Sequence, residues 1–551
     1  MKLNPILIAT LATLLGCTSK PGADDTSSAD GEADTDTDTD TDTDTDTDTD
    51  TDTDSDTDAP DTGDAPDTGD TGTDVDDRRT ELLECVVAAD GCDEILVPNE
   101  DNEIFLQGPG YWLDDGLDHA GETVCIPTGT YRHLNFSGLR GTEERPITIT
   151  NCGAGQVVVD AAELSAALSA HGSRYLHLTG TGDPDQEFGF LLMNAGGGRM
   201  VIDMQEGVSD IEVDYLEIAG PAYAGIAIRN YPYCNADLGR EAFTQYNTFI
   251  HHNHVHDVSG EGLYIGPSHY FLDHSPTSDE TCAPGIPEAA LNGVEIHHNT
   301  VEDVGRDGIQ VGAAIAGMAI YNNVIRRYAL NGDYGHNGGI QINPGSVGHV
   351  FGNYIESVSG GTADNAIQFA GGEDGPTYLY NNVIVGTKTP FIALSRMGNA
   401  DSPVHFLNNT VVNSGAEGSI TMQLFCSETW VQDFSFKNNI FTNYEYVGSY
   451  IFTDGDGGVW TKLVGGGSAA NCPINGRVHD NDLDENQKIE GNLYAQDPAE
   501  VGFVDIEGGD FHLEGTSPAV GSGENLSETF TVDIEGNDRG DGAYDMGAYT
   551  Y

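Results

Sequence analysis

Short hydrophobic runs that end in the same polar triplet recur along the second half of the chain. Seven of them end in a hydrophobic–polar–Asn pattern, with spacings of 46, 24, 30, 29, 27 and 30 residues between successive asparagines. Self-similarity at roughly 20–50 residues indicates a repeat architecture, and each unit alternates strand and turn signals without a helical period. We therefore expect an all-β, right-handed parallel β-helix. The repeated asparagines are Asn253, Asn299, Asn323, Asn353, Asn382, Asn409 and Asn439.

These asparagines are expected to support the fold rather than to carry chemistry. An eighth unit contains Asn492, after a cysteine-containing excursion. Inward Asn side chains at a β-helix turn can hydrogen-bond to one another and to the turn backbone, which forms a ladder along the coils. A substitution such as Asn382→Ala should then destabilise the fold without removing a specific activity.

Two units align without a gap and place acidic residues in shared columns. The segment HNHVHDVSGEGLYIG matches HNTVEDVGRDGIQVG position for position. The match stacks Glu261 on Asp307 and Asp257 on Asp303, and adjacent strands lie about 4.8 Å apart. Carboxyl groups roughly 5 Å apart are typical of retaining glycosidases, and stacked acids also suit calcium. Three interpretations stay open: solvated turn residues, a calcium site with Asp303 and Asp307, and a catalytic pair of Glu261 and Asp307.

A second column lies three residues beyond the acids. It contains Tyr264, Gln310, Gln341 and Gln368, at equivalent positions that we expect to face outward. An aromatic ring beside a stripe of amides suits sugar hydroxyl groups, which predicts substrate binding. Glutamine ladders also stabilise stacked strands without any ligand, so both interpretations remain.

A longer turn beside this column supplies candidate catalytic groups. The segment RRYALNGDYGHNGG contains Tyr334 and His336, and Arg306 precedes it by one turn. A lyase needs a base for the proton next to a uronate carboxylate and a cation for the charge that develops. His336 and Arg306 are the candidates for these roles. Six further histidines resemble a metal cluster, but alternation along a strand should prevent all of them from converging: His251, His252, His254, His256, His297 and His298.

The N-terminus has the features of an export signal. Lys2 and an apolar run precede Leu14-Leu15-Gly16-Cys17, which resembles the bacterial lipobox. The resemblance implies cleavage before Cys17, its lipidation and anchoring to the outer membrane. The Asp-Thr repeats that follow have almost no apolar residue to bury, so they predict a disordered, extended linker.

The charge of the chain excludes one class of partner. The formal net charge is −70, and 24 acidic residues lie between Lys20 and Asp77. The remaining 67 acidic residues still face only 20 Lys and Arg. Because nucleic-acid binding requires clustered basic side chains, a nucleic-acid partner is not expected. A neutral glycan, or a uronate bridged by calcium, is more compatible with this charge.

Eight cysteines remain once Cys17 is set aside, and an even number in an exported chain favours disulfides. Proximity in the sequence predicts four local pairs. They are Cys85 with Cys92, Cys125 with Cys152, Cys234 with Cys282, and Cys426 with Cys472.

Two segments resemble known families. Gly129-Thr130-Tyr131, the strand PITI that ends at Ile149 and the strand VVVD that ends at Asp160 resemble the opening coils of chondroitinase-B-like and alginate-lyase-like β-helix proteins. The Lys-Ser and Arg-His-Gly motifs of those lyases are absent from the middle coils, so no catalytic residue is transferred. The closing segment, with SPAVGSG and YDMGAYTY, resembles the ends of secreted bacterial β-helix proteins and implies a cap.

These observations predict four regions: a lipoprotein signal (1–17), an acidic linker (18–79), the β-helix (80–475), and a last coil with its cap (476–551). The predicted protein is a surface-anchored monomer that binds an extracellular polysaccharide. If it is an enzyme, the expected activity is that of a polysaccharide lyase or a glycoside hydrolase. Calcium is the expected cofactor if there is one. The rival hypothesis is a non-catalytic surface adhesin or display protein.

Overall fold

The structure of the chain is a computed structural model. The described residues are 85, 91–162, 164–194, 200–272, 285–333, 335–357, 365–387, 389–393, 402–412, 433–442, 489 and 491–551. The backbone alone is described for 423–426, 452–453, 459–462, 473–474 and 477–478. Cys17 and the predicted acidic linker lie outside these residues. Within them, no helix is long and apolar enough to cross a membrane.

The described strands form a parallel β-helix with three faces. A typical coil contributes one strand to each face, and each strand pairs in parallel with its counterpart in the next coil. Near the start of the helix, the long strands Thr123–Tyr131 and Ile147–Asp160 run over both the first and the second face. The first-face strands are Glu94–Ile95, Thr123–Tyr131, Ile147–Asp160, Arg174–Thr179, Ser209–Asp214, Thr244–His251, Ala290–His297, Ala314–Tyr321, Gly348–Phe351, Thr377–Tyr380, Val404–Leu407, Phe434–Lys437 and Pro473–Ile474. The second-face strands are Phe190–Met193, Leu216–Ala219, His254–His256, Thr300–Glu302, Val324–Arg326, Tyr354–Glu356, Val383–Val385, Thr410–Val412, Ile440–Thr442 and Leu493–Ala495.

The third face carries the columns that the sequence singled out. Its strands are Glu103–Phe105, His133–Asn135, Leu168–Ser169, Met200–Met204, Ala224–Ile228, Glu261–Ile265, Ile309–Val311, Gly338–Ile342, Asn365–Phe369, Thr389–Ala393 and Gln423–Cys426, followed by the antiparallel strands Val459–Lys462 and Phe452–Thr453. The remaining elements are the strands Arg477–Val478, Phe503–Asp505 and Asp510–Leu513 and the 3-10 turns Ala236–Leu238 and Pro498–Glu500.

The interior is built from the alternating apolar positions of these strands. In one coil the inward side chains are Val294 and Ile296 on the first face, Val301 on the second, and Ile309 and Val311 on the third, and all five are fully buried. Equivalent side chains of successive coils stack on one another, and together they form one continuous buried core.

The predicted asparagine ladder is present. The side-chain oxygen of Asn299 accepts from the backbone N–H of Asn253 at 3.1 Å and from its Nδ2 at 3.0 Å. The same pair of bonds recurs at each following unit and reaches Asn492, which accepts from Asn439 at 3.0 and 2.8 Å. The ladder therefore satisfies the buried polar groups of the corner between the first and second faces.

The residue before each ladder asparagine explains the recurrent triplet. His252, His298 and Asn322 have φ near +54°, and Gly352 has φ +65°. This left-handed conformation turns the chain from the first face to the second, and Asn, His and Gly tolerate it better than other residues. The middle position of the triplet is therefore set by backbone conformation.

The closing segment packs along the side of the last coils. Asn381, Asn408 and Asn438, at successive coil corners, donate to backbone oxygens of Val532, Asp545 and Glu524. An apolar cluster joins outward residues of the second face to the end of the chain, namely Val383, Val412, Ile440, Met546 and Ala548. The predicted cap thus makes these contacts along the outside of the helix, because the outward apolar side chains there need cover.

The predicted disulfide pairs at the start of the helix are wrong. The described bonds join Cys85 to Cys152 and Cys92 to Cys125. Glu94–Ile95 pairs with Thr123–Tyr131, which pairs with Ile147–Asp160. Cys92 and Cys125 are 33 residues apart, on neighbouring coils, and Cys85 and Cys152 are 67 residues apart. The nearest cysteine in the sequence is therefore not the partner in space. Cys234 is also disulfide-bonded, whereas Cys282 and Cys472 lie outside the described residues and Cys426 is described only by its backbone.

We expect mass spectrometry of non-reduced peptides to recover these bonds. Digestion should release one linked pair that contains Cys85 and Cys152 and another that contains Cys92 and Cys125. A linked peptide that joins Cys125 to Cys152 would contradict the described bonds. A fully reduced and alkylated digest is the control, since both linked species should disappear from it.

Candidate functional site

Two acidic side chains from consecutive coils lie side by side on the third face. Glu261 is the first residue of Glu261–Ile265, and Asp307 lies two positions before Ile309–Val311. The strands pair Leu263 with Ile309, which places Glu261 opposite Asp307 and confirms the predicted stacking. Both carboxylates are fully buried.

The next coil adds an imidazole to the pair. His336 Nδ1 lies 3.1 Å from Glu261 Oε1 and 3.7 Å from Asp307 Oδ2. One side-chain atom from each of the three residues falls within 4.8 Å of the other two, and His336 is 2% exposed. Three of the four predicted catalytic residues therefore converge on one point, which we call the acid–imidazole cluster.

Arg306, the fourth predicted residue, lies at the edge of this cluster. Its NH1 is 3.5 Å from Glu261 Oε1, and its Nε donates to Asp333 Oδ2 at 2.9 Å. Its guanidinium also lies over the ring of Tyr223, 5.2 Å from the centroid. With 26% of its side chain exposed, Arg306 is the member of this set nearest to solvent.

The sequence did not reveal the role of Gly338. In the register of the third face, Gly338 occupies the position that follows Glu261 and Asp307 in the acid column. Its N–H donates to Asp307 Oδ1 at 2.7 Å, and a Cβ there would lie 3.3 Å from that oxygen. The glycine therefore lets the backbone approach the carboxylate. An alignment of GGIQIN with DGIQVG could have shown this role, because it sets Gly338 against Asp307.

Burial and neighbouring charges shift the pKa values of Asp307 and Arg306. Burial is the main cause that raises the pKa of Asp307, with the neighbouring Glu261 adding to it, while His336 and the Gly338 N–H oppose the shift. Burial works against a charged Arg306, but the carboxylates of Glu261 and Asp333 outweigh it and raise the pKa of that guanidinium. Among the described residues, the buried Glu261 Oε2 has no hydrogen-bond partner. Asp307 is thus suited to hold a proton, and Glu261 lies beside the cation of Arg306.

We expect Asp307→Asn to change how stability depends on pH. A raised pKa means that folded Asp307 keeps a proton that the unfolded chain has released, so its favourable contribution is complete below the unfolded pKa and declines as pH rises through the folded pKa. The advantage of the Asn variant over the wild type should therefore grow with pH. Urea unfolding at several pH values measures it, and an advantage that does not change with pH would contradict the pKa direction.

Asp303→Asn is the matched control for this experiment. Arg327 lowers the pKa of Asp303 through hydrogen bonds, with burial opposing the shift. The sign is then reversed, because this contribution is present above the unfolded pKa and is lost as pH falls through the folded pKa. Asp303→Asn should therefore be the less stable protein at neutral pH, and the deficit should shrink on acidification.

The structure does not show Asp303 as a partner of Asp307. Both of its oxygens accept from Arg327, each at 2.7 Å. No described group of three or more ligand atoms within 4.8 Å includes it. Asp303 could bind calcium only by giving up this bidentate ion pair, so its metal role stays a prediction.

The predicted substrate-binding column is continuous, and it is buried. Tyr264 pairs with Gln310, Gln310 with Gln341, and Gln341 with Gln368, and all are at most 3% exposed. Gln368 Nε2 donates to Gln341 Oε1 at 3.0 Å. This ladder accounts for part of the hydrogen-bonding capacity that a sugar would use.

Ser268 covers this column and was missed from the sequence. Its hydroxyl contacts Tyr264 OH at 2.8 Å, Gln310 Nε2 at 3.0 Å and Asn343 Nδ2 at 2.9 Å. Ser268 lies at the start of residues 267–290, a segment that does not follow the repeat and offers no register from which to place it. A sugar could reach the amides only if residues 267–272 moved, so the binding role of this column stays a prediction.

Comparisons with known proteins give similarity to solved structures only. No protein-family model and no curated protein matches the chain. A crystal structure of pectate lyase Pel9A has 12% identity and a TM-score of 0.41, covering 85% of this chain and 99% of that one. An alginate lyase from Paenibacillus sp. str. FPU-7 has 15% identity and a TM-score of 0.36, covering 54% and 90%. A complex of XylC with xylose has 12% identity and a TM-score of 0.33, covering 80% and 96%.

The strand pairing itself defines the class of protein. Parallel strands repeat on three faces around one apolar core, with an asparagine ladder at one corner. The chain is a parallel β-helix protein. Its chemistry has to be argued from its own residues, because a fold of this kind does not fix a function.

Proposed function

We propose that this protein hydrolyses an extracellular polysaccharide at the acid–imidazole cluster. The observation that carries the proposal is the approach of Glu261 and Asp307 to within 4.8 Å at their nearest ligand atoms. Retaining glycosidases place their two carboxyl groups about 5–5.5 Å apart, whereas inverting enzymes leave a wider gap for water. The spacing of this pair supports retention.

The two acids would have different roles. Asp307, whose pKa is raised by burial, would donate a proton to the glycosidic oxygen as that bond breaks. Glu261, beside Arg306 and His336, would attack the anomeric carbon as a carboxylate and form a glycosyl ester. Asp307 would then remove a proton from the water that cleaves the ester, so that both groups return to their starting states.

The proposal also assigns a location and an ion. Export and lipidation of Cys17 would hold the protein on the outer membrane, with the acidic linker extending the β-helix away from the lipid. The negative charge of the chain favours a neutral glycan. Calcium would be needed for a uronate polymer, since it can bridge carboxylates of the protein and of the substrate.

A non-catalytic surface module is the second candidate, and the burial of the cluster favours it. Glu261 and Asp307 are both 0% exposed, so a sugar reaches them only after Arg306 and the turn around His336 are displaced. In the second candidate the cluster only ties three coils together. The protein would then bind to a surface through other residues.

A glycan panel separates these functions. The full-length protein is incubated with neutral and uronate polysaccharides, with calcium and with a chelator. New reducing ends without ultraviolet absorbance of an unsaturated uronide are the expected result. Appearance of that absorbance would mean elimination, with His336 as base and Arg306 facing the uronate carboxylate. No cleavage of any glycan would favour the non-catalytic module.

A further inference from the structure

A second cluster of ionisable side chains lies on the outer side of the first face, away from the proposed active site. Register pairs His177 with Glu212, and Asp214 with His251, so the four residues come from three consecutive coils. Glu212 and Asp214 alternate with the buried Val213 and therefore point the same way. We call these four residues the outer His–acid cluster.

The contacts within this cluster are short. Asp214 Oδ2 lies 3.0 Å from His177 Nε2 and 3.5 Å from His251 Nε2. Glu212 Oε1 lies 3.1 Å from His251 Nε2. Ligands of a tetrahedral ion at about 2.0–2.1 Å from the metal are separated by roughly 3.3 Å. The three separations above lie near this spacing, and His177, Glu212 and Asp214 each place one ligand atom within 4.8 Å of the other two.

Asp214 contributes an oxygen that the protein leaves unsatisfied. Its side chain is 6% exposed, and its Oδ1 has no hydrogen-bond partner among the residues that the structure describes. A buried carboxylate oxygen without a partner is costly. The two histidines contact only Oδ2. A cation bound by this carboxylate would remove the cost of leaving Oδ1 unsatisfied.

His251 is held in the orientation that a metal ligand requires. Its Nδ1 lies 2.9 Å from His252 Nδ1, and its ring stacks on His297 with centroids 4.7 Å apart. This leaves Nε2 directed at Glu212 and Asp214. Ligating histidines usually have their other nitrogen fixed by a hydrogen bond in this way. Strand alternation would place His251 and His252 on opposite sides. The left-handed conformation of His252 instead leaves both rings on the outside, in contact with each other.

We propose that His177, Glu212, Asp214 and His251 bind a divalent transition ion of the zinc class. Two imidazoles and two carboxylates form a ligand set that suits zinc, whereas calcium requires six to eight oxygen ligands. His177, Glu212 and Asp214 form the compact group of ligand atoms. His251, which contacts both acids, would close the site as the fourth ligand, so that the ion has a structural role. It would link three coils from the outside, in addition to the backbone hydrogen bonds and the His–acid contacts between them.

Zinc titration of the full-length protein without an affinity tag tests the site. After chelator treatment, calorimetry should detect a zinc site, and thermal unfolding should shift upward on zinc addition. His177→Gln and His251→Gln should each weaken zinc binding at that site by at least about tenfold, since each removes a ligand. His405→Gln is the matched control, because His405 is an outward histidine of the same face that stacks on Tyr378.

Other described clusters could also take up zinc, and the variants distinguish them. His254→Gln alters the group of Glu217, His254 and His256, and His336→Gln alters the acid–imidazole cluster. The proposal fails if the protein binds no zinc, or if calcium binds in its place. It also fails if zinc binding is lost only in the His254 or His336 variant. An anomalous difference peak between His177 and His251 in zinc-soaked crystals is the expected direct result.

Discussion

Asp307→Asn is expected to lower glycan cleavage by roughly 10³-fold while the β-helix stays folded. Asn keeps the oxygen that accepts from the Gly338 N–H, at 2.7 Å in the wild type, but it has no proton of suitable acidity for the leaving oxygen. Glu261→Gln should cost at least as much, since an amide does not form the glycosyl ester. Reducing-end assays on the cleaved glycan, together with circular dichroism, measure both effects.

Asp257→Asn is the control for this pair. Asp257 is an acid of the same coil as Glu261, and its side chain is 72% exposed and contacts His256. Its replacement should leave the cleavage rate unchanged. The double variant of Glu261 and Asp307 should be about as slow as the slower single variant, because residues that act as one unit are not additive. Cleavage that survives in both single variants would place the chemistry elsewhere in the chain.

The columns of the third face could be predicted because they depend on the repeat alone. Counting from the ladder asparagine of each coil placed Glu261 against Asp307 and Tyr264 against Gln310, and the strand register agrees with both. His336 was harder to place, since its turn is longer than those of neighbouring coils. It was selected for its chemistry, and the structure brings it to the two acids.

What the sequence could not supply is the content of segments that depart from the repeat. Ser268 belongs to an insertion with no register of its own, yet it determines that the glutamine column is buried. The pairing of Asp303 with Arg327 was missed for a related reason. A carboxylate at a coil corner has several arginines nearby. The length and conformation of the side chains decide which arginine it pairs with, and the repeat does not determine this.

Asn382→Ala is expected to produce the largest loss of stability among single substitutions of the scaffold, about 3–5 kcal/mol. Asn382 Oδ1 accepts from the backbone N–H and the Nδ2 of Asn353, each at 3.0 Å. Its own Nδ2 donates to Val350 O at 3.0 Å and to Asn409 Oδ1 at 2.9 Å. Alanine would leave several of these groups unpaired at a fully buried corner, where an unsatisfied polar group is costly.

Urea unfolding of Asn382→Ala and of Asn322→Gly tests whether the ladder or the corner conformation dominates. Asn322 precedes a ladder asparagine, has φ +54°, and makes only a 3.4 Å contact with His298. Glycine adopts this conformation readily, so its unfolding free energy should change by less than about 0.5 kcal/mol. Equal losses of stability in the two variants would mean that both asparagines of a corner contribute alike, and that the buried ladder of amides has no special role. A loss confined to Asn382→Ala would show that the inward amides hold consecutive coils together, and that the middle residue of each triplet only turns the chain.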